Sequence, residues 1–282
     1  MKKPYHKIGA PMLNKGITLS LSDPAGQTML PIFIEKGFKE TETPNIYKKN
    51  EKILISIEPL IVPEERFKLP DRPRPYPTDY TMLAKQYDLE YITVASRHWA
   101  KSGQPSLTAH PTGNFGKAMY GGRHRELQLT TPNPMRNIYK RLLDAPPEGF
   151  QVSLEATHHS PTEFEVPMFF IEIGSREEKW RDKEVSEYLV NSILSGMDDK
   201  EIKPVAIGFG GGHYCPMFSE KIMDFSMGHM AAKYAIDLLT DDLVQQMIEK
   251  SMSPDYALID GLKGRQKRKV ESLIEKKGLP IA

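Results

Sequence analysis

Short runs such as Ile53–Ile57, Met168–Ile173 and Pro204–Phe209 are apolar along nearly their whole length, and polar or Gly/Pro-containing segments bound them. A strand with one face in water alternates apolar and polar residues, whereas a continuously apolar run needs cover on both faces. Tyr91–Ser96 is equally β-rich, Gln151–Ala156 reads as a further strand, and the opening Ile17–Ser22 alternates before a turn or helix start at Asp23-Pro24-Ala25-Gly26. Helical stretches separate these strands. The expected fold class is α/β, a three-layer sandwich around a mixed, mainly parallel sheet, with residues 1–282 as one domain. Strand order is not encoded in such a pattern.

Several segments depart from this rhythm. The proline-rich stretch Val62–Pro77 resists both helix and central strand and reads as a loop-rich insertion. Ser102–Tyr120, rich in Gly, Pro, Thr and Asn, predicts a long irregular loop, so Arg97-His98 should mark the point where a strand gives way. Ser175 and Glu178 have the spacing of a capping box, which predicts a helix start there. Ser219–Leu239 has helical character, and so does the tail from Asp241, which carries the basic stretch Lys263–Lys269.

The net charge of +1 leaves any attraction to nucleic acid to local patches. Arg97, Lys117, Arg123, Arg125 and Arg136, with the basic tail, would form such a track, although solvated loop charge explains each residue singly. The single cysteine, Cys215, excludes an internal disulfide framework, and no apolar core follows the first residues, so a cytoplasmic protein is expected. No apolar stretch approaches the ~20 residues of a membrane span.

Six of the eight histidines, His98, His110, His158, His159, His213 and His229, fall in short polar motifs, several of them just after predicted strands. Strand ends are where open α/β sheets hold ligands, and neutral imidazole is both a metal ligand and a general base. Glu155-Ala156-Thr157-His158-His159 could hold zinc and so activate water, or be a capped turn with surface histidines; spacing does not decide. Adjacent histidines can serve one site only if the chain turns, as Ser160-Pro161 suggests. Gly210-Gly211-Gly212-His213 would let backbone amides approach an oxyanion or phosphate, or simply make a tight turn. Glu172, inside an apolar strand, needs a partner or a metal unless it lies in water at a strand end. His229, on a predicted helix, is a metal ligand or a buried structural histidine, and Cys215 reads as structural.

Taken in order, Ser96-Arg97-His98, Leu107-Thr108-Ala109-His110-Pro111 with Gly113-Asn114, Leu154–Thr162, Ile171–Ser175, Gly208–Tyr214 and Gly228-His229 resemble the D-aminoacyl-tRNA deacylases of archaea and plants, over roughly residues 17 to 240. Trp99 departs from the family, which more often has a polar residue there, and the Val62–Pro77 insertion is longer than usual. The resemblance implies hydrolysis of the ester of D-aminoacyl-tRNA, zinc as cofactor, and a fold similar to peptidyl-tRNA hydrolase and nucleoside phosphorylases. On the matching positions, His98, His158, His159 and His213 are the expected catalytic residues. Arg97, His110, Asn114, Lys117, Gly210, Gly211 and Gly212 would bind substrate, and Glu155, His158, His159, Glu172 and His229 would bind metal. A monomer is expected. The rival readings are a nucleosidase or phosphorylase that uses the glycine loop for phosphate, and a non-catalytic tRNA-binding module.

Overall fold

The computed structural model describes residues 13–57 and 78–282, and the proline-rich insertion expected at 62–77 lies outside the described residues. Strand β1 (Asn14–Ser20) leads into helix α1 (Pro24–Glu35), followed by β2 (Lys39–Glu40), β3 (Ile46–Lys49), β4 (Lys52–Ile57), α2 (Tyr80–Gln86), β5 (Leu89–Trp99) and β6 (Ser106–His110). Next come α3 (Pro132–Leu142), β7 (Gln151–Leu154), β8 (Met168–Ser175), the single turn α4 (Glu177–Trp180) and α5 (Lys183–Asp198). The chain closes with β9 (Val205–Gly210), α6 (Pro216–Glu220), β10 (Ser226–Ala231), α7 (Asp241–Glu249), β11 (Tyr256–Asp260) and α8 (Gly264–Lys276).

Eight strands form one sheet in the order β2-β3-β4-β1-β5-β8-β6-β7, and three form a second, β10-β9-β11. The small sheet is wholly parallel; in the large one β4-β1-β5-β8 and β6-β7 pair parallel, and the other pairings are antiparallel. The mixed, mainly parallel α/β architecture is therefore the one expected, divided over two sheets.

The apolar runs are explained by cover on both faces. Tyr91, Ala95, Phe169, Ile171 and Ile173 point into a core built with Phe33 of α1, Ile138 of α3, and Leu189 and Ile193 of α5. Ile92, Val94, Met168 and Phe170 point the opposite way, against Tyr80 of α2 and Phe164. Each such side chain contributes about 1.5–3 kcal/mol by leaving water. The small sheet repeats the scheme: Ala206, Met227 and Leu258 join the first core, while Ile207, Phe209 and Ala257 pack under Leu243 and Met247 of α7 and Val270 and Ile274 of α8. Asp23 caps α1 by accepting from Ala25 N at 3.0 Å, and its other oxygen accepts from Arg97 N at 2.9 Å, which ties the helix to β5.

Five local expectations are corrected. Ser106–His110 is a strand buried along its whole length, concealed by the Gly/Pro density around it. Strand β5 runs on through Arg97 and His98 to Trp99 because β8 pairs with it that far. Within the stretch read as helical, Ser226–Ala231 is β10, and Tyr256–Asp260 in the tail is β11; both pair with β9, which in β10 overrides the weak strand propensity of Met, Gly and Ala. Ser175 does not cap a helix: it ends β8 and donates to Gln104 O at 2.7 Å, and Asp182 instead caps α5.

Candidate functional site

The apolar face formed by Ile92, Val94 and Phe170 turns polar toward the ends of its strands. His98 on β5, Gly174 on β8 and Ser106 on β6 lie side by side in register, and the next row contains Ser96, Glu172 and Thr108. His110 stands opposite Phe170 one row further down, so His98, Glu172 and His110 share a face. Glycine is required at 174, since a Cβ there would lie 2.3 Å from Ser106 Oγ and 2.9 Å from His98 Cδ2.

After β7 the chain passes between the two sheets. Glu155 N donates to Ala109 O at 3.0 Å, Ala156 N to His213 O at 2.8 Å and Thr157 N to Met230 O at 2.9 Å. Gly113 N donates to His159 O at 2.9 Å, so the segment is held from both sides. His159 takes a left-handed backbone conformation, φ +44°, uncommon for a residue with a Cβ. That turn places two consecutive imidazoles on one site, with ring centroids 4.4 Å apart.

Glu155 is the centre of the cluster. Its Oε1 lies 3.2 Å from His98 Nδ1, and its Oε2 lies 2.9 Å from His213 Nε2 and 3.6 Å from His158 Nε2. It is fully buried, yet neither oxygen receives a well-directed hydrogen bond. Glu172 accepts from Ser96 Oγ at 2.7 Å and turns Oε2 toward His98 Nδ1, at 3.4 Å, and His110 Nε2, at 3.5 Å. His158 Nδ1 donates to Ala156 O at 2.8 Å and His159 Nδ1 to Ser160 O at 2.6 Å. Those carbonyls fix the tautomer and leave each Nε2 with a lone pair, the state a metal-binding imidazole needs. Three overlapping groups, His110–His158–His159, Glu155–His158–His213 and His98–Glu155–Glu172, each keep their ligand atoms within 4.8 Å of one another. Such mixed nitrogen and carboxylate donors suit a transition metal better than a hard, oxygen-seeking cation, and the unsatisfied Glu155 oxygens fit the same reading.

Burial pushes Glu155 and Glu172 toward higher pKa, but the surrounding imidazoles, His213 first for Glu155 and His110 first for Glu172, outweigh it and hold both carboxyls below their usual range. Burial likewise works against charge on His98 and His110; the nearby carboxylates, Glu172 foremost, reverse the balance and raise both. His158 and His159 are pushed down by burial and by the charge of His110, His159 to about 4, so both stay neutral. Tyr214, not singled out by the sequence patterns, places its hydroxyl 3.1 Å from His98 Nε2 and its ring edge against His213. Only its position after the glycine run could have signalled this.

Other expected site residues stand elsewhere. His229 is not with the metal groups: it sits on β10 with Nε2 donating to Gln128 O at 2.9 Å and Nδ1 3.1 Å from Thr157 Oγ1. Both nitrogens are used, and burial lowers its pKa to about 3, so the metal role is corrected to a structural one. Gly211 N donates to Asp260 O at 3.1 Å and is not available to an oxyanion, and a Cβ on Gly210, φ +108°, would lie 2.0 Å from that same oxygen. Those two glycines make room for β11; Gly212 is exposed. Asn114 ties a loop by donating to Gly121 O at 2.9 Å and Arg123 O at 3.1 Å, and Lys117 is exposed. Arg97, exposed beside His98, lies over the Trp180 ring at 5.0 Å. Arg136 drops out of the basic track: it is buried, donates to Ile222 O at 2.7 Å and pairs with Glu201 at 3.2 Å. Cys215 is a buried free thiol, pushed up to about 12 by burial.

Residues 85–282 match the family model described as D-aminoacyl-tRNA deacylase. A D-aminoacyl-tRNA deacylase of Pyrococcus abyssi is 33% identical over 278 residues, covering 94% of this chain and 98% of that one. A second from Thermococcus kodakarensis is 36% identical over 196 residues, 67% of this chain and 72% of its own. The crystal structure of a conserved protein of unknown function superposes with a TM-score of 0.82 at 29% identity, over 96% of this chain and 95% of that chain. Matched by the family model over most of its length, and one-third identical to a relative over 94% of it, this chain belongs to the D-aminoacyl-tRNA deacylase family.

Proposed function

We propose that the protein hydrolyses the ester between a D-amino acid and the 3′ end of tRNA, as a cytoplasmic monomer with zinc as its metal. The observation that carries the reading is the buried Glu155 carboxylate ringed by His98, His158 and His213 without a well-directed donor, in a chain of this family. His110, His158 and His159, or Glu155 with His158 and His213, would hold the ion. Bound there, zinc supplies Lewis acidity and lowers the pKa of water to about 7.

The chain's own groups account for the proton movements. Glu155 and His98 sit where a proton leaving the attacking water can be received, and Tyr214 orients His98 through its hydroxyl. His213, one-third exposed, with Nδ1 3.3 Å from Tyr234 Oη, is placed to give a proton to the departing ribose oxygen. The bond from the carbonyl carbon to ribose breaks, and the water oxygen stays with the D-amino acid. With Gly211 N–H bonded to Asp260 O, Gly212 N–H would be the backbone donor to the oxyanion. Arg97 and Lys117 would meet phosphates of the acceptor strand.

The test is ester loss from D- and L-aminoacyl-tRNA with zinc-loaded and chelated protein. Loss confined to the D form and abolished by chelation is expected. Equal loss from both forms, or cleavage of free nucleosides in place of the ester, would overturn the reading.

A further inference from the structure

A cavity of about 740 Å³ opens beside the histidine cluster on the same face of the large sheet. Its floor is Ser106 of β6, with Gln151 paired to it on β7 and Ser153 one row on, opposite Thr108, and Tyr214 forms the wall shared with the cluster. Ser106 and His98 lie in one row on either side of Gly174, whose missing side chain lets the cavity floor reach the His98 ring. The volume lies within the ~300–1,000 Å³ of small-molecule sites.

We infer that this cavity receives the terminal nucleoside of the RNA substrate, base over β6 and β7 and ribose toward Tyr214; the inference rests on the deacylase reading above. The reacting ester has two limbs, an aminoacyl group and a ribose that continues into RNA. No Lys or Arg lines the cavity among the described residues, and Glu220 at its rim repels anions, so it does not suit a phosphate. Gln151 and Ser153 make no side-chain hydrogen bond among the described residues, while Ser219, by contrast, is occupied by Leu154 N and Cys215 O. A free amide and a free hydroxyl offer both donors and acceptors, which match the edges of a base and the hydroxyls of a ribose. Tyr214, 40% exposed and at the cavity wall with its hydroxyl 3.1 Å from His98 Nε2, borders the ribose and leads from the cavity to the histidine cluster. Val152 and Pro216 add apolar surface to the same lining, which the flat faces of a base can cover while its polar edge meets Gln151 and Ser153.

The experiment titrates adenosine into the zinc-loaded protein by calorimetry, for the wild type and for Ser153→Trp and Gln151→Leu, and follows D-aminoacyl-tRNA hydrolysis in the same proteins. Adenosine should bind the wild type and compete with substrate. Both variants should weaken it and raise KM about tenfold or more, with metal content, melting temperature and the preference among D-amino acids unchanged. Failure of adenosine to bind the wild type, or a Ser153→Trp variant that changes preference between small and large D-aminoacyl groups while adenosine still binds, overturns the inference. Gln151→Leu, on the exposed edge strand, keeps the test decisive if the larger substitution harms folding. If the wild type releases no D-amino acid at all, the deacylase reading fails, and the calorimetric arm still decides whether the cavity holds a nucleoside.

Discussion

His158 Nε2 and Glu155 Oε2 face each other at 3.6 Å although both are acceptors, because the proton of His158 is committed through Nδ1 to Ala156 O. Two lone pairs directed at each other in a buried space call for a cation between them. Glu155→Gln should therefore lower zinc affinity by about 100-fold or more, read by chelator competition and metal stoichiometry. Full zinc content at unchanged affinity in that variant would remove Glu155 from the metal site and leave it to His110, His158 and His159, whereas absence of zinc from the wild type would remove the metal from the account.

Single alanine replacements at His158, His159 and His213 should each reduce turnover by about 10²–10⁴-fold while circular dichroism and melting stay close to wild type. His213→Ala, lying at the solvent side, should also keep more of its zinc than His158→Ala. Near-wild-type rates in all three would end the assignment.

His229 predicts an acid sensitivity that does not involve catalysis. Its folded pKa is about 3 and its unfolded value about 6.5, so the unfolded chain binds the extra proton between these limits. The stability this neutral imidazole contributes is present above pH 6.5 and is lost as pH falls through 3, up to roughly 5 kcal/mol. Denaturant unfolding at pH 7, 5.5 and 4 should show wild type losing stability faster than His229→Gln, and parallel lines would contradict it.

Arg136 and Arg97 should separate cleanly. Removing the buried guanidinium leaves Ile222 O unpaired, and Arg136→Ala should cost about 1–3 kcal/mol with KM for folded enzyme unchanged. Arg97→Ala should leave stability nearly intact, raise KM and reduce the slope of log KM against log salt by about 1. A KM effect at Arg136 or none at Arg97 would reverse their roles.

Sequence pattern revealed β1, β4, β5, β7 and β8 of the large sheet, because runs such as Met168–Ile173 are apolar along most of their length and admit few other placements, whereas the short β2 and β3 carry no such run. Strands β6, β10 and β11 were hidden for a different reason: Ser106–His110 sits between glycines and prolines, and Ser226–Ala231 has no β-branched residue, so only pairing with distant partners makes them strands. The same distance dependence separates the histidines. His98, His158 and His159 stand near a strand end or turn that local pattern can read, whereas His110 lies on the hidden β6 and the partners of His229, Gln128 and Thr157, come from remote segments. Whether Gly211 could serve an oxyanion depended on Asp260, which no local motif announces.

The two tryptophans lie on either side of this chemistry in opposite surroundings. Trp180 is nearly buried and donates its Nε1–H to His98 O at 3.0 Å, whereas Trp99, 63% exposed, is stacked with Arg176 at the outer end of the same strand. The protein thus carries two optical probes of unlike colour: iodide or acrylamide should quench the red-shifted Trp99 emission, leaving a bluer signal from an indole hydrogen-bonded to the backbone of His98. Titration of metal or nucleoside can be followed in the untagged protein by that light alone.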